Sequence, residues 1–63
     1  MSKRQIIDLE RDLWDAGIKV RLMVKGDGLL VEGEAYGDRM LAMSELRKRR
    51  ITVTGHKFRK AEK

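Results

Sequence analysis

Apolar residues recur along this chain at two different periods, and each change of period marks an element. Ile6, Ile7, Leu9, Leu13 and Trp14, plotted at about 100° per residue, fall within an arc of roughly 160°, the buried face of a helix. Ser2 is placed to act as N-cap, and Gln5 three residues later completes a capping box. Arg4–Asp8 and Arg11–Asp15 are spaced as i,i+4 pairs on the outer side. Gly17 suits the left-handed position beyond the helix end, with Ile18 folding back on Leu13. The pattern predicts a helix over 3–16, with Trp14 largely buried apart from one edge. Glu10 lies inside the apolar arc, between Ile6 and Trp14. A bare buried carboxylate is costly, so Glu10 is expected either to reach water at the edge of the arc or to pair with an arginine of a second helix or a partner.

The period then drops to two. Ile18, Val20, Leu22 and Val24 alternate with Lys19, Arg21, Met23 and Lys25, which predicts a strand. Gly26-Asp27-Gly28 is a turn signal, and Leu29 to Glu34 forms the return strand with Leu29, Val31 and Gly33 inward. A loop from Lys25 to Gly28 pairs Val24 with Leu29 and Leu22 with Val31. It also sets Arg21 opposite Glu32 and Lys19 opposite Glu34, pairs that cross-strand electrostatics favour. A two-residue Asp27-Gly28 turn keeps the same faces.

Helical spacing returns with Met40, Ala42, Met43 and Leu46. Asp38 after Gly37 is the expected N-cap, and Arg47-Lys48-Arg49-Arg50 closes the helix with cations that suit its dipole. Ile51-Thr52-Val53-Thr54 is β-branched throughout and favours a strand, which Gly55 is expected to break. The reading is a small single α+β domain over 1–54, ordered α-β-β-α with residues 51–54 open as a third short strand. One antiparallel sheet is packed by helices, and a basic C-terminal tail covers 55–63. The expected core is Ile6, Leu9, Leu13, Ile18, Val20, Leu22, Val24, Leu29, Val31, Met43 and Leu46.

Composition narrows what such a fold can do. A 63-residue chain buries only about 60% of its unfolded surface, so its stability is marginal. Cysteine is absent and there is one histidine, which excludes disulfides and thiolate metal sites. Support from a homo-oligomer or a larger partner is expected instead. No apolar run reaches the length of a membrane span, and the charged N-terminus is unlike a secretory signal; the expected location is cytoplasmic. Free-standing chains of this size are common in phages, plasmids and bacterial operons, and a phage- or plasmid-type regulator is the expectation.

No nucleophile–base pair presents itself. Ser2 is a cap, Ser44 lies within a helix, and Gly26-Asp27-Gly28 lacks the spacing and lysine of a phosphate loop. The expectation is a non-enzymatic protein without metal, cofactor or small-molecule substrate.

Charge supplies the strongest functional signal. Residues 1–46 carry seven Lys/Arg against nine Asp/Glu, a balance of −2. Residues 47–63 carry eight against one, a balance of +7. Such asymmetry points to an anionic partner. Arg47, Lys48, Arg49, Arg50, His56, Lys57, Phe58, Arg59 and Lys60 are the expected contacts to nucleic acid or to an acidic protein surface, with Phe58 placed to stack on a base. The leading expectation is a small regulator that engages nucleic acid or a nucleoprotein machine. The alternative is a protein-docking module or inhibitor, for instance of a host nucleic-acid enzyme. It would bind through the hairpin edge and the outer face formed by Met23, Leu30, Arg21 and Glu32.

Over residues 6–34 the chain resembles the N-terminal docking domains of the TubC type found on some peptide and polyketide megasynthases. The likeness rests on Leu9 and Leu13 in a short helix, Gly17-Ile18, a strand, and Gly26-Asp27 leading into Leu29-Leu30-Val31. The resemblance implies that strands Ile18–Val24 and Leu29–Glu34 form a surface for a short peptide of a partner enzyme. Downstream the patterns diverge: those domains continue with leucine-bearing helices, where this chain has Arg47 to Arg50 and a β-branched run.

Overall fold

In the computed structural model, which describes residues 1–60, the first helix, α1 (Lys3–Asp15), begins as its sequence requires. Ser2 Oγ accepts from the Gln5 amide at 3.2 Å and Gln5 Oε1 accepts from the Ser2 amide at 2.7 Å. This reciprocal cap is worth about 1 kcal/mol. At the other end the Gly17 amide donates to the Trp14 carbonyl at 2.9 Å and the Ile18 amide to the Leu13 carbonyl at 2.8 Å. Gly17 holds φ +85°, and the two bonds form the Schellman closure that the left-handed residue makes possible.

Strands β1 (Arg21–Lys25) and β2 (Gly28–Gly33) pair antiparallel in the expected register, with Arg21 opposite Glu32, Leu22 opposite Val31, Met23 opposite Leu30 and Val24 opposite Leu29. Lys25 pairs with Gly28, so the turn itself is Gly26-Asp27. Lys19 precedes the paired strand and has no ladder partner. Val24 corrects the expected core: its parity is right, but at the hairpin tip nothing covers it and it stays 63% exposed.

The second helix, α2 (Tyr36–Lys48), starts two residues before the expected cap. Ala35 is the N-cap and offers no side chain to the free amides; Asp38 lies inside the first turn, where its charge suits the helix dipole. Arg39, Ala42, Met43 and Leu46 are buried, an i, i+3, i+4, i+7 stripe. The helix closes with the same bond pair as α1: the Arg50 amide donates to the Arg47 carbonyl and the Ile51 amide to the Leu46 carbonyl, both at 2.9 Å. Here the left-handed position, φ +60°, is held by Arg50.

The third strand, β3 (Val53–Phe58), corrects two expectations. It joins β2 in parallel, giving a mixed sheet of order β1-β2-β3. A helix of 13 residues between β2 and β3 returns the chain to the end where β2 began, and strands joined by such a crossover run the same way. The strand also continues through Gly55, so residues 55–58, expected as tail, belong to the sheet. The ladder is irregular there: Leu29 pairs with Val53 and Leu30 with Gly55. The glycine, at φ +152°, absorbs the irregularity. Residues 61–63 of the expected tail lie outside the described residues.

The core is aliphatic. Leu13, Ile18, Val20, Leu22, Leu29, Val31, Ala42, Met43 and Leu46 are buried, and Ile6, Leu9, Met40, Ile51 and Val53 pack against them. Both helices therefore lie on one face of the sheet. The other face, with Arg21, Met23, Lys25, Leu30, Glu32, Gly55 and Lys57 by strand parity, has no helix over it. No helix among the described residues is long and apolar enough to cross a membrane.

Two positions test this packing. Leu46 is completely buried, and Leu46→Ala should cost about 2–5 kcal/mol. A core this small supplies no more than about 3–5 kcal/mol, so loss of the cooperative transition in circular dichroism melts is expected. A Cβ on Gly28 would stand on the Thr52 carbonyl, the group that also accepts from the Leu29 amide at 2.9 Å. Gly28→Ala should therefore part β2 from the start of β3, lowering stability by about 1–3 kcal/mol in urea denaturation.

Candidate functional site

The parallel crossover decides where the basic residues go. Because α2 and β3 run in opposite directions, the end of α2 sits at the start of β3. Arg47 to Arg50 thus lie at one end of the domain and Lys57 to Lys60 at the other, separated by the length of a six-residue strand, about 20 Å. The basic run, continuous in sequence, is two clusters in space.

Much of its charge is already engaged. Lys48 Nζ stands 3.2 Å from Glu45 and Arg49 Nη1 3.4 Å from Asp12. Lys57 Nζ at 3.4 Å and Arg59 Nη1 at 3.1 Å share the carboxylate of Glu32. Glu32 is only 4% exposed, and a buried carboxylate of this kind needs paired cations. Glu32, part of the expected docking face, lies opposite Arg21 and ties β3 to β2. Arg47 and Arg50 have no ion pair among the described residues.

The aromatic residues are the feature that sequence patterning missed. The chain has one Trp, one Tyr and one Phe, and none is in the core: Trp14 is 48%, Tyr36 64% and Phe58 62% exposed. All three stand at the end of the domain where α1 stops, β2 and β3 finish and α2 begins. Trp14, expected to be largely buried, is held out by its own hydrogen bond. Its Nε1 donates to the Val20 carbonyl at 2.8 Å, tying the indole to the outer edge of β1, and Lys19 Nζ lies 6.0 Å from the ring centroid. Between Trp14 and Lys60 opens a cavity of 250 Å³ whose rim carries Lys19, Arg21 and Arg59 as well as Glu34 and Asp38.

Arg39 builds this end from below. It is 9% exposed, and among the described residues no carboxylate pairs with its charge. Nη1 donates to the carbonyls of Gly33 at 2.7 Å and Glu34 at 3.3 Å, and Nε donates to His56 Nδ1 at 3.1 Å. The guanidinium carbon lies 5.7 Å from the Tyr36 ring centroid, within cation–π range. Tyr36 in turn meets His56 edge-on, with centroids 6.0 Å apart. His56, expected as a contact in the basic tail, lies exposed on β3 and accepts from Arg39 on the helix-covered face. The signal for Arg39 was present in sequence as its i, i+4, i+7 spacing to Met43 and Leu46.

Glu10 also finds a partner that its sequence position did not suggest. Its Oε2 accepts from the Leu22 amide at 2.8 Å, in place of the arginine considered from sequence, and the side chain stays half-buried. Together Glu10 and Trp14 occupy hydrogen-bonding positions on the outer edge of β1, and the hairpin edge expected as a docking strand is partly covered. The expected Met23/Leu30 pair does form on the uncovered face; Met23 is 47% exposed and Leu30 half-buried. Among the described residues no group of three His, Cys, Asp or Glu side chains is placed to hold a metal ion.

Arg39→Met keeps the packing volume but leaves two strand-end carbonyls and His56 Nδ1 without their donor. A loss of about 1–3 kcal/mol is expected in chemical denaturation, with changed chemical shifts for the Tyr36 and His56 rings. In comparisons with known proteins, no family model, curated protein or solved structure matches the chain.

Proposed function

We propose that this chain is a non-enzymatic binding module for single-stranded nucleic acid, which it engages at the aromatic end of the domain. One observation carries the reading: every aromatic ring of the protein is exposed at that end, among Lys19, Lys57, Arg59 and Lys60. A marginal 63-residue domain has much to gain from burying a ring, since each aromatic side chain removes about 150–250 Å² from water. Leaving all three outside is intelligible if bases stack on them while the lysines and arginines track the phosphates. A flexible single strand suits this arrangement better than a duplex, because stacked pairs offer their faces to no side chain.

Trp14, as the sole tryptophan, reports directly. Titration with twelve-residue oligo-dT and oligo-U at about 50 and 200 mM salt should quench its fluorescence. Four phosphate contacts would give a salt slope near −3. Absence of quenching and of a gel shift with both oligomers at the lower salt would sink the proposal. Phe58→Ala should cost about 1–3 kcal/mol of binding. Glu32→Gln should do the opposite, tightening binding by removing the carboxylate that Lys57 and Arg59 share, at a modest loss of stability because both cations reach water.

A second reading is favoured by the uncovered sheet face. Met23 and Leu30 form an apolar row flanked by Arg21, Lys25 and Lys57, which suits an acidic peptide of a partner protein, as the TubC-like hairpin implies. The two readings separate by mutation. Met23→Asp with Lys60 intact abolishes only peptide capture, while Lys60→Glu with Met23 intact weakens only the nucleic-acid complex.

A further inference from the structure

At the far end of the domain the basic cluster includes a residue with an unusual backbone conformation, Arg50. The two helices close with the same pair of hydrogen bonds, yet α1 places Gly17 at the left-handed position and α2 places Arg50 there, at φ +60°. A side chain at this position is strained, whereas glycine adopts it freely. The capping motif needs nothing that an arginine side chain provides. Nor does the rest of the fold use it: among the described residues no carboxylate or carbonyl takes the Arg50 guanidinium, whereas neighbouring Lys48 and Arg49 are both held in ion pairs. Arg50 borders an open cavity of 340 Å³ against the hairpin turn, where Asp27 is the one carboxylate in the lining. Strain retained for an unused charge points to a use outside the chain.

We propose that Arg50 is the distal phosphate contact of the same single strand that stacks at the aromatic end, so that the footprint runs the length of the domain. This rests on the nucleic-acid reading above and adds its extent. Arg50 and Phe58 lie at opposite ends of β3, about 20 Å apart. At about 3.4 Å per stacked nucleotide a strand needs some six residues to cover that distance. Arg47, also without an ion pair among the described residues, stands one helical turn before Arg50 and belongs to the same distal contact.

The test compares Arg50→Gly and Arg50→Lys with the parent chain, using oligo-dT of twelve and of three residues, with Trp14 fluorescence as readout. Arg50→Gly should raise the melting temperature by about 4–8 °C through relief of the strained backbone. It should also weaken the twelve-residue complex about ten-fold and flatten its salt slope by about 0.7. The three-residue oligomer, too short to reach Arg50, should bind both proteins equally. Arg50→Lys keeps charge and strain, and should keep the parent melting temperature and most of the affinity. If Arg50→Gly gains stability and still binds the longer oligomer as tightly as the parent, the distal contact is wrong while the aromatic site stands. An equal loss with both oligomers, or a fall in melting temperature, overturns it as well. Failure of the parent chain to bind either oligomer defeats the aromatic-site reading and, with it, this one.

Discussion

Burying the guanidinium of Arg39 constrains everything at one end of this domain. A buried cation without a carboxylate must be satisfied by dipoles, and Arg39 finds them in the last carbonyls of the central strand and in the ring nitrogen of His56. Those partners come from β2, from the loop after it and from β3, while the arginine itself belongs to α2. The whole β2-α2-β3 crossover is thus held at one group. The Gly33 carbonyl also accepts from the Arg59 amide at 3.0 Å, so the last bond of the parallel ladder shares an acceptor with the arginine. A lysine could not replace it, because only the planar fork reaches carbonyl and imidazole at once.

This anchorage has a consequence for the surface. Arg39 is buried beneath the end of the sheet, Tyr36 packs over its guanidinium and against the edge of the exposed His56 ring, and Phe58 stays on the surface. The indole nitrogen of Trp14 is committed to the edge of β1. All three rings are left outside, and the core is completed with leucine, valine, isoleucine, methionine and alanine. The parallel crossover adds the second consequence, placing the two halves of the basic run at opposite ends. Charge and aromatic surface come together at only one of them.

Local pattern carried most of the fold. The capping box at Ser2, the closure at Gly17 and Ile18 and the hairpin register are all short-range matters, settled by residues within a turn or across a two-residue loop, and each was legible. The direction of β3 was not, because Ile51 to Thr54 reads as a strand whichever neighbour it joins. Gly55 misled for a related reason: a glycine that ends a strand and one that sits in a bulge look alike until the partner strand is known. Of the site, the basic residues and Phe58 were legible as chemistry but not as geometry. Charge density along a chain says nothing about a crossover that separates its halves. Trp14 was misjudged because a helical wheel registers its apolar ring and not the reach of its N–H toward a strand edge, while Glu10 followed the same logic from the acceptor side.

The two sheet edges show how the fold limits where a partner can attach. An exposed strand edge is a template for unwanted pairing, and the edges here are managed differently. On β1 the carboxylate of Glu10 and the indole of Trp14 take backbone positions of Leu22 and Val20, which is coverage by side chains. On β3 the irregularity at Gly55 and the charge of Lys57 guard the strand. Lys57 also reaches Glu32 in the middle strand, so the residue that guards the edge helps to hold it in the sheet. With both edges discouraged, the surfaces left open, besides the Arg47 to Arg50 end, are the uncovered sheet face and the aromatic end. Lys57 and Arg59, linked through the buried Glu32, lie on the boundary between them. Under the proposed nucleic-acid reading, Glu32 is where stability and binding would compete: the carboxylate that ties β3 to β2 is also the one that offsets the charge a polyanion would meet.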